Sequence, residues 1–527
     1  MSIFNTRAAR PDGIRLPPAV AAISVILMLA VLAVVTFAAL RSPLKDDIAW
    51  LLYVARRWMA GRELYIDLVE VNPPLIVWLS TVPLALSRWL GLGVQSVAMP
   101  TFIVAVLACA WWSASLLRQH GGLFVNRVTV FAILSIVLLI IPAGDLGQRE
   151  HLLIAAMLPY LILFAGSLDG IKPRLRDSIV AGVIAGLGCA LKPRHAGVFL
   201  LLECIALTHG LRPWRALPIA AGVTMAAYAV LIALISPAYL NRAVPMAMAL
   251  YGATDVPFKR LLLDSAVLMA GEAVAIGLLW LRRRSLPERS LMLTLMVFAV
   301  ASTAICFMDG KDWYYHRLPA TIATVLALLC WAASTFVKRR SHPHPARVPL
   351  AVAGLVVVIL CAGSLQRLEP QVIQAVEPGQ TTVARLEQII HRERARSYIA
   401  FSEWIALGFP VVNNTGVTWA SRFDSMWALK GELWRARFDP RVTREWPVSR
   451  WVVYDFITGC PDIAVVDTRE GTNYVAVLSA RDPAFKRAWS RYRRIDAFDG
   501  LEVYKRNKAG CIDPWIAAEA TAAATIR

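Results

Sequence analysis

Residues 41–90 read RSPLKDDIAWLLYVARRWMAGRELYIDLVEVNPPLIVWLSTVPLALSRWL. The stretch ends in an apolar run, 74–90, of nearly spanning length, and whether that run crosses a bilayer decides which way every later segment faces. A spanning helix needs about 20 mostly apolar residues. Such runs lie at 18–40, 96–117, 128–142, 151–168, 178–191, 195–209, 216–236, 264–281, 290–308, 317–337 and 348–366. Those at 178–191 and 195–209 are short, and read as half-helices or tilted ones. Arg7, Arg10 and Arg15 precede the first span, so the positive-inside rule places the N-terminus in the cytoplasm. If 74–90 does not cross, the loops 118–127, 169–177, 210–215, 282–289 and 338–347 share that side. With the N-terminal tail they carry 18 Lys and Arg against 4 Asp and Glu. If it crossed, the basic loops HGGLFVNR, KPRLRD, LRRRS and KRRSHPHPAR would all face outward. The run is therefore read as a helix that lies at the outer surface or dips in without spanning.

Composition agrees. Of 527 residues, 57% are hydrophobic and 17% charged, whereas a soluble domain is nearer half apolar and a quarter charged. An ordinary soluble enzyme and a disordered chain are both excluded. The net charge of +19 would suit a nucleic-acid binder, but residues 1–366 hold 32 Lys and Arg against 17 acids, and residues 367–527 hold 23 against 19. Most of the excess sits in cytoplasmic loops, where it orients the protein in the lipid bilayer. No nucleic-acid partner is implied.

The expected architecture is a polytopic α-helical membrane protein, with about 11 to 13 spanning helices and a C-terminal soluble α/β domain. Residues 1–17 form a cytoplasmic tail and 18–366 the membrane domain, with an outer juxtamembrane loop at 41–95. Residues 367–527 form the domain outside the cytoplasm. The first span is too long for a signal-peptide core and reads as an uncleaved anchor. In the C-terminal part SYIAFS, PVVN, WVVYD, DIAVVD and LEVYK are strand candidates. TTVARLEQIIHRERAR and SARDPAFKRAWSRY are helix candidates, the second capped by Ser479. Six cysteines fall in apolar spans, where a small buried hydrophobe is expected. Cys460 and Cys511 stand alone in the soluble domain, where an oxidising compartment would let them pair.

Ionisable groups near the membrane carry the functional information, because each is costly to hold there. Four clusters gather in the outer loops. Asp46-Asp47 opens a stretch in which Trp50, Leu51, Val54 and Trp58 recur at helical spacing, an interfacial amphipathic helix. Its two acids either complement the helix dipole or supply a carboxylate base at the membrane surface. Glu70 and Asn72 precede Pro73-Pro74, which force an extended approach to the apolar run. Asp145, Arg149, Glu150 and His151 crowd between two spans. Lys192, Arg194 and His195 join Asp309, Lys311, Asp312, His316 and Arg317 on the outer side, against the charge bias. These basic groups either snorkel to lipid head groups or hold a phosphate or diphosphate through charge-assisted hydrogen bonds. No Gly-rich phosphate loop and no metal-spaced Cys/His cluster occurs in the sequence.

Taken together these clusters resemble the GT-C superfamily of integral-membrane glycosyltransferases, above all the branch of protein O-mannosyltransferases and bacterial lipid A aminoarabinose transferases. The resemblance rests on Asp46-Asp47 after the first span with Arg56 and Gly61 at the family spacing. It continues in Asn72-Pro73-Pro74-Leu75, Asp145 to His151, and Lys311 to Pro319. Asn72 stands where the family carries His or Lys, and Arg149-Glu150-His151 departs from the usual Arg-x-Asp. The resemblance implies an inverting transfer of a sugar from a polyprenyl-phosphate-type donor to an envelope acceptor. It places that reaction at the periplasmic face of a bacterial inner membrane. Asp46 or Asp47 would be the general base. Lys192, Arg194, Lys311, His316 and Arg317 would stabilise the leaving phosphate, and Glu70 and Glu150 would orient the acceptor or the base. The reaction is compatible with a divalent metal but does not require a cofactor. Two other readings stay open: a transporter or flippase for lipid-linked or anionic substrates, whose short helices would line a path, and a membrane-anchored assembly or sensor protein.

Overall fold

The computed structural model describes residues 18–282, 286, 288–339, 347–469 and 471–507. The tail 1–17, the basic runs 283–285 and 340–346, and Cys511 lie outside the described residues. In chain order the first fourteen helices are α1 Pro18–Arg41, α2 Asp46–Met59, α3 Pro74–Leu90, α4 Val94–Leu117, α5 Arg127–Ile140, α6 Arg149–Leu168, α7 Leu175–Leu191, α8 Ala196–Thr208, α9 Ala216–Ile235, α10 Val244–Leu250, α11 Phe258–Leu281, α12 Arg289–Asp309, α13 Leu318–Arg339 and α14 Arg347–Val376. Every apolar run read from the sequence is helical. Among the described residues eight helices (α1, α4, α6, α9 and α11 to α14) are long and apolar enough to cross a membrane. Helices α5, α7 and α8 have only 14, 17 and 13 residues. Residue 366 falls inside α14, which runs on to Val376.

The chain forms two compact units. The first contains Met1–Leu40, Gly93–Val230 and Val256–Val372, and the second Arg41–Leu92, Leu231–Asp255 and Ile373–Arg527. In the helical first unit, glycine lets backbones approach closely. A Cβ on Gly182 of α7 would lie 2.5 Å from the Leu217 carbonyl oxygen, and one on Gly186 would lie 2.9 Å from that of Ala221. The four-residue spacing is the small-xxx-small pattern by which membrane helices pack. Segment ends sort into two sets. At one end Tyr314 Oη donates to the Ile141 carbonyl (2.8 Å), Arg194 to that of Met308 (3.3 Å), and the Val256 N–H to Gly310 (3.0 Å). At the other, Ser290 Oγ donates to Asp169 (2.5 Å) and Arg282 to Thr335 (3.0 Å). Loops that the charge census assigns to one side therefore meet at one end of this unit.

The second unit is built on a five-stranded sheet, β1 Ser397–Phe401, β2 Thr418–Trp419, β3 Ile463–Asp467, β4 Tyr492–Phe498 and β5 Leu501–Arg506, in the order β2-β1-β3-β5-β4. Strand β1 pairs parallel with β2 and β3, in register Tyr398↔Ile463, and β5 runs antiparallel to both β3 and β4. The strands β1 and β3 are continuous apolar runs because both faces are buried. Helices α15 Thr382–Arg392, α16 Val411–Thr415, α17 Trp427–Arg435, α18 Val442–Glu445, α19 Val448–Gly459, α20 Tyr474–Arg481 and α21 Pro483–Trp489 complete it.

Three local expectations are corrected. PVVN lies at the start of α16 and WVVYD within α19, where Val448, Val452, Val453, Phe456 and Ile457 bury one helical face. That period overrides β-branched propensity. Ser479 lies inside α20, and the cap is Asp482, whose carboxylate accepts from the Ala484 and Phe485 N–H groups before Pro483 starts α21. Helix α2 is not an interfacial helix with one bare face, since Ile48 to Ala55 are all buried. The ring of Phe409 meets Trp50 and Tyr53 at 4.9 and 5.1 Å, and Asn413 Nδ2 donates to the Ala49 carbonyl (3.0 Å). The C-terminal part of the chain thus wraps the helix that opens with the acid pair. Cys460 is disulfide-bonded, while the six cysteines of the helical segments are free thiols.

Candidate functional site

Ionisable groups nominated from the sequence gather in each unit. In the sheet-bearing unit they begin with Asp46 and Asp47 in the first turn of α2, where unpaired N–H groups favour negative charge. Asp46 Oδ1 accepts from the Asp47 N–H (2.9 Å) and lies 3.3 Å from Lys45 Nζ. One turn on, Trp50 Nε1 donates to Glu70 Oε2 (2.5 Å). The other Glu70 oxygen accepts from the Asn72 N–H (2.7 Å) and Asn72 Nδ2 (2.5 Å), and Tyr65 Oη ties the Asn72 carbonyl (2.8 Å). Glu70 is only 2% exposed. Three N–H donors thus converge on this one carboxylate. Asn72, which stands where the resemblance would put His or Lys, spends its side-chain and main-chain N–H groups on Glu70.

The sequence reading missed a fourth acid. Val69 forms a parallel bridge with Phe423, its N–H donating to the Arg422 carbonyl (2.8 Å). Arg422 is itself forked onto Asp455 of α19, with Nη2 2.8 Å from Oδ1. The bridge brings Asp424, which is partly buried, to Glu70. Burial, then the Glu70 charge, then that of Asp47 hold the Asp424 carboxyl well above the usual carboxylate range, despite hydrogen bonds from Trp427 and Ser425. An isolated Asp in SRFDS gives no signal in the sequence, and only the long-range bridge reveals it.

In the helical unit the charged groups lie where α6 begins, α7 ends, α12 ends and α13 begins. Glu150 (2% exposed) receives Lys192 Nζ at 2.6 Å, and His316 Nε2 lies 3.8 Å from the same oxygen. The other His316 nitrogen meets Asp309 at 3.0 Å, and Arg194 is paired with Asp309. Glu150, Lys192, Arg194, Asp309 and His316, which the sequence divides between two clusters, thus come together across 166 positions of chain. Arg317 donates to the carbonyls of Asp264 and Asp312, while Arg260 pairs with Asp312 (2.7 Å). Lys311, 3% exposed, stands 6.0 Å from the centre of the Trp313 ring. Arg149 is buried beside Glu150. His151 is differently employed. Its Nδ1 accepts the Gly147 N–H (3.1 Å), which leaves Nε2 to donate to the Leu138 carbonyl (2.8 Å), so both ring nitrogens serve the backbone. His195 is 4% exposed, its ring tilted against that of Phe298 at 6.4 Å, with neither ring nitrogen hydrogen-bonded. Among the described residues no group of three or more His, Cys, Asp or Glu side chains is placed to hold a metal ion.

This arrangement leaves each acid of the helical cluster with a cationic partner. The Arg194 side chain is 58% exposed against 19% for Lys192, so an incoming anion reaches Arg194 at the smaller cost in buried charge.

No protein-family model matches the sequence, and no curated relative matches it. The structure is similar to that of ArnT from Cupriavidus metallidurans bound to undecaprenyl phosphate, with a TM-score of 0.50 at 14% identity over 92% of this chain and 98% of that one. The chain therefore has an ArnT-like fold, a polytopic helical membrane part followed by a domain with a small sheet.

Proposed function

We propose that this protein is a glycosyltransferase of a bacterial inner membrane that moves a sugar from a polyprenyl-phosphate donor to an envelope acceptor at the periplasmic face. The observation that carries the reading is the chain-long likeness to a structure that holds undecaprenyl phosphate. In the proposed reaction Asp46 or Asp47 takes the proton of an acceptor hydroxyl, whose oxygen attacks the anomeric carbon opposite the phosphate. The carbon–oxygen bond to phosphate breaks and the configuration inverts, as in the base half of an inverting glycosidase. The leaving group departs as an anion, so it calls for cations more than for a general acid. Lys192 and Arg194, which the fold already gathers with His316, are suited to that task, and Lys311 and Arg317 border it. The grouping of parity-matched loops at one end of the helical unit supports a periplasmic position for this cluster.

The test is the pair of single variants Asp46→Asn and Asp47→Asn, assayed in proteoliposomes for release of polyprenyl phosphate. One of them should lose transfer by about 1000-fold or more, the scale of a lost general base with its associated positioning, while thermal unfolding is unchanged. Near-normal transfer by both would overturn the base assignment. Movement of the lipid without cleavage would favour a flippase.

A further inference from the structure

The sheet-bearing unit includes residues 231–235, the last turn of α9, a helix long and apolar enough to span the membrane. Eight residues later the chain enters α10, still in this unit, which buries Met246 and Leu250 and exposes Met248. Helix α17 packs on this segment. The Trp427 ring meets that of Tyr251 edge-on at 5.1 Å, and a Cβ on Gly431 would lie 2.5 Å from the Leu250 carbonyl oxygen. One turn along α17 thus steps the contact back from Tyr251 to Leu250, in the direction of α9. Trp434 and Phe438 come next on the same helical face, three and seven residues beyond Gly431. The helical step persists to Phe438, because the Ala436 and Asp439 N–H groups still donate to the Glu432 and Arg435 carbonyls (2.9 Å each).

Trp434 is 38% exposed and Phe438 74%, and their rings stand 5.5 Å apart. Single exposed apolar residues are ordinary, but a contiguous aromatic pair marks a contact surface. Residues 434–445 hold four arginines against two acids. All four arginines are exposed, and one of the acids, Asp439, is forked by Arg441 (3.0 Å). Aromatic rings with basic side chains beside them are the composition of an interfacial contact with anionic lipid. The position next to a span end and the sign of the charge name the same occupant. We infer that Trp434 and Phe438 insert at the bilayer surface where α9 ends, with the arginines on the phosphates of anionic phospholipids, so that the sheet-bearing unit rests on the membrane by a contact of its own. This docking lies outside the proposed transfer reaction and does not depend on its substrates.

Tryptophan fluorescence of the full chain in proteoliposomes tests it. Trp434→Phe keeps an apolar ring, so the difference between wild-type and variant emission is that of Trp434. In bilayers of chain-brominated phosphatidylcholine with added phosphatidylglycerol that emission should be blue-shifted and quenched, and it should be quenched less without phosphatidylglycerol. Arg437→Gln combined with Arg444→Gln should lose most of the quenching, because each cation near an anionic surface contributes about fivefold to binding. These changes are at the surface, so thermal unfolding should not move. Emission quenched by aqueous iodide but not by brominated lipid overturns the inference, since the pair then meets water. Emission shielded from both quenchers overturns it too, because a second copy of the chain then covers the patch. Quenching that ignores both phosphatidylglycerol and the arginine changes overturns it as well, because anionic head groups then play no part.

Discussion

Replacing Glu70 with glutamine changes one oxygen to an NH2 group and leaves volume and shape almost untouched. The consequence follows from three donors. In the native protein Trp50 Nε1 approaches one carboxylate oxygen at 2.5 Å, and the Asn72 N–H and Nδ2 approach the other at 2.7 and 2.5 Å. With its amide oxygen toward Asn72, the glutamine presents N–H groups to the indole N–H. With the amide flipped, it presents them to both Asn72 donors instead. The first arrangement strands fewer groups, and it leaves the indole N–H of a residue only 2% exposed without an acceptor. Losing a hydrogen bond to a charged group costs about 1.5–3 kcal/mol, and an unsatisfied buried donor costs a comparable amount, so Glu70→Gln should destabilise the sheet-bearing unit by about 3 kcal/mol. The assay is denaturant unfolding of the detergent-solubilised full chain, followed by tryptophan fluorescence. Trp50→Phe removes the stranded donor while keeping a ring against Phe409 and Tyr53. The double variant should therefore recover at least about 1 kcal/mol relative to the sum of the two single changes. A Glu70→Gln protein as stable as wild type, or a cycle that closes additively, would refute the three-donor account.

Gly182→Val should cost expression and thermal stability, because its side chain would begin 2.5 Å from the Leu217 carbonyl, whereas Gly197→Ala, with open space at its Cβ, should be neutral in the same measurement. Arg194→Ala should leave the fold intact, since the side chain is 58% exposed and such pairs contribute little to stability, but should weaken binding of undecaprenyl phosphate about tenfold in a native mass-spectrometry titration; unchanged affinity would remove Arg194 from the phosphate site. The raised Asp424 carboxyl means that above about pH 4 the folded protein holds a proton that the unfolded chain has released. That group's contribution to stability is then lost as pH rises toward the folded value. Asp424→Asn should accordingly gain stability relative to wild type between about pH 4.5 and 8 in thermal melts, and a pH-independent difference would contradict the sign.

The spans were legible because lipid imposes one rule, a long apolar helix, which the sequence must obey in the open. The charge census went further and predicted which loops share an end, as Tyr314 with Ile141 and Ser290 with Asp169 illustrate. In the sheet the rules compete. Strand β4 carries Arg493, Arg494 and Asp496 at an edge, where charge is ordinary, so it shows no alternation to read. The run WVVYD looks like a strand until its helical neighbours Val448 and Ile457 are counted with it. For the site, Lys192, Arg194 and His316 could be nominated because basic groups there run against the charge bias, and Glu150 because it stands in a crowd of ionisable residues at a span end. Asp424 could not, since its importance comes from a bridge between residues 69 and 423 that no local pattern encodes.

That bridge also accounts for the departure at residue 72. The family resemblance leads one to expect a cation before Pro-Pro, where this chain has the neutral Asn72. Its geometry assigns it different work. Both of its N–H-bearing groups point at Glu70, whose second oxygen is held by Trp50, so the Glu70 charge is stabilised by neutral donors. A Lys or His⁺ on Glu70 would neutralise that charge outright and remove the field that, with Asp47, bears on Asp424. Replacing Asn72 by a cation beside Glu70 should therefore release the Asp424 proton at lower pH, and the two positions should be coupled in a double-mutant cycle although 352 residues separate them.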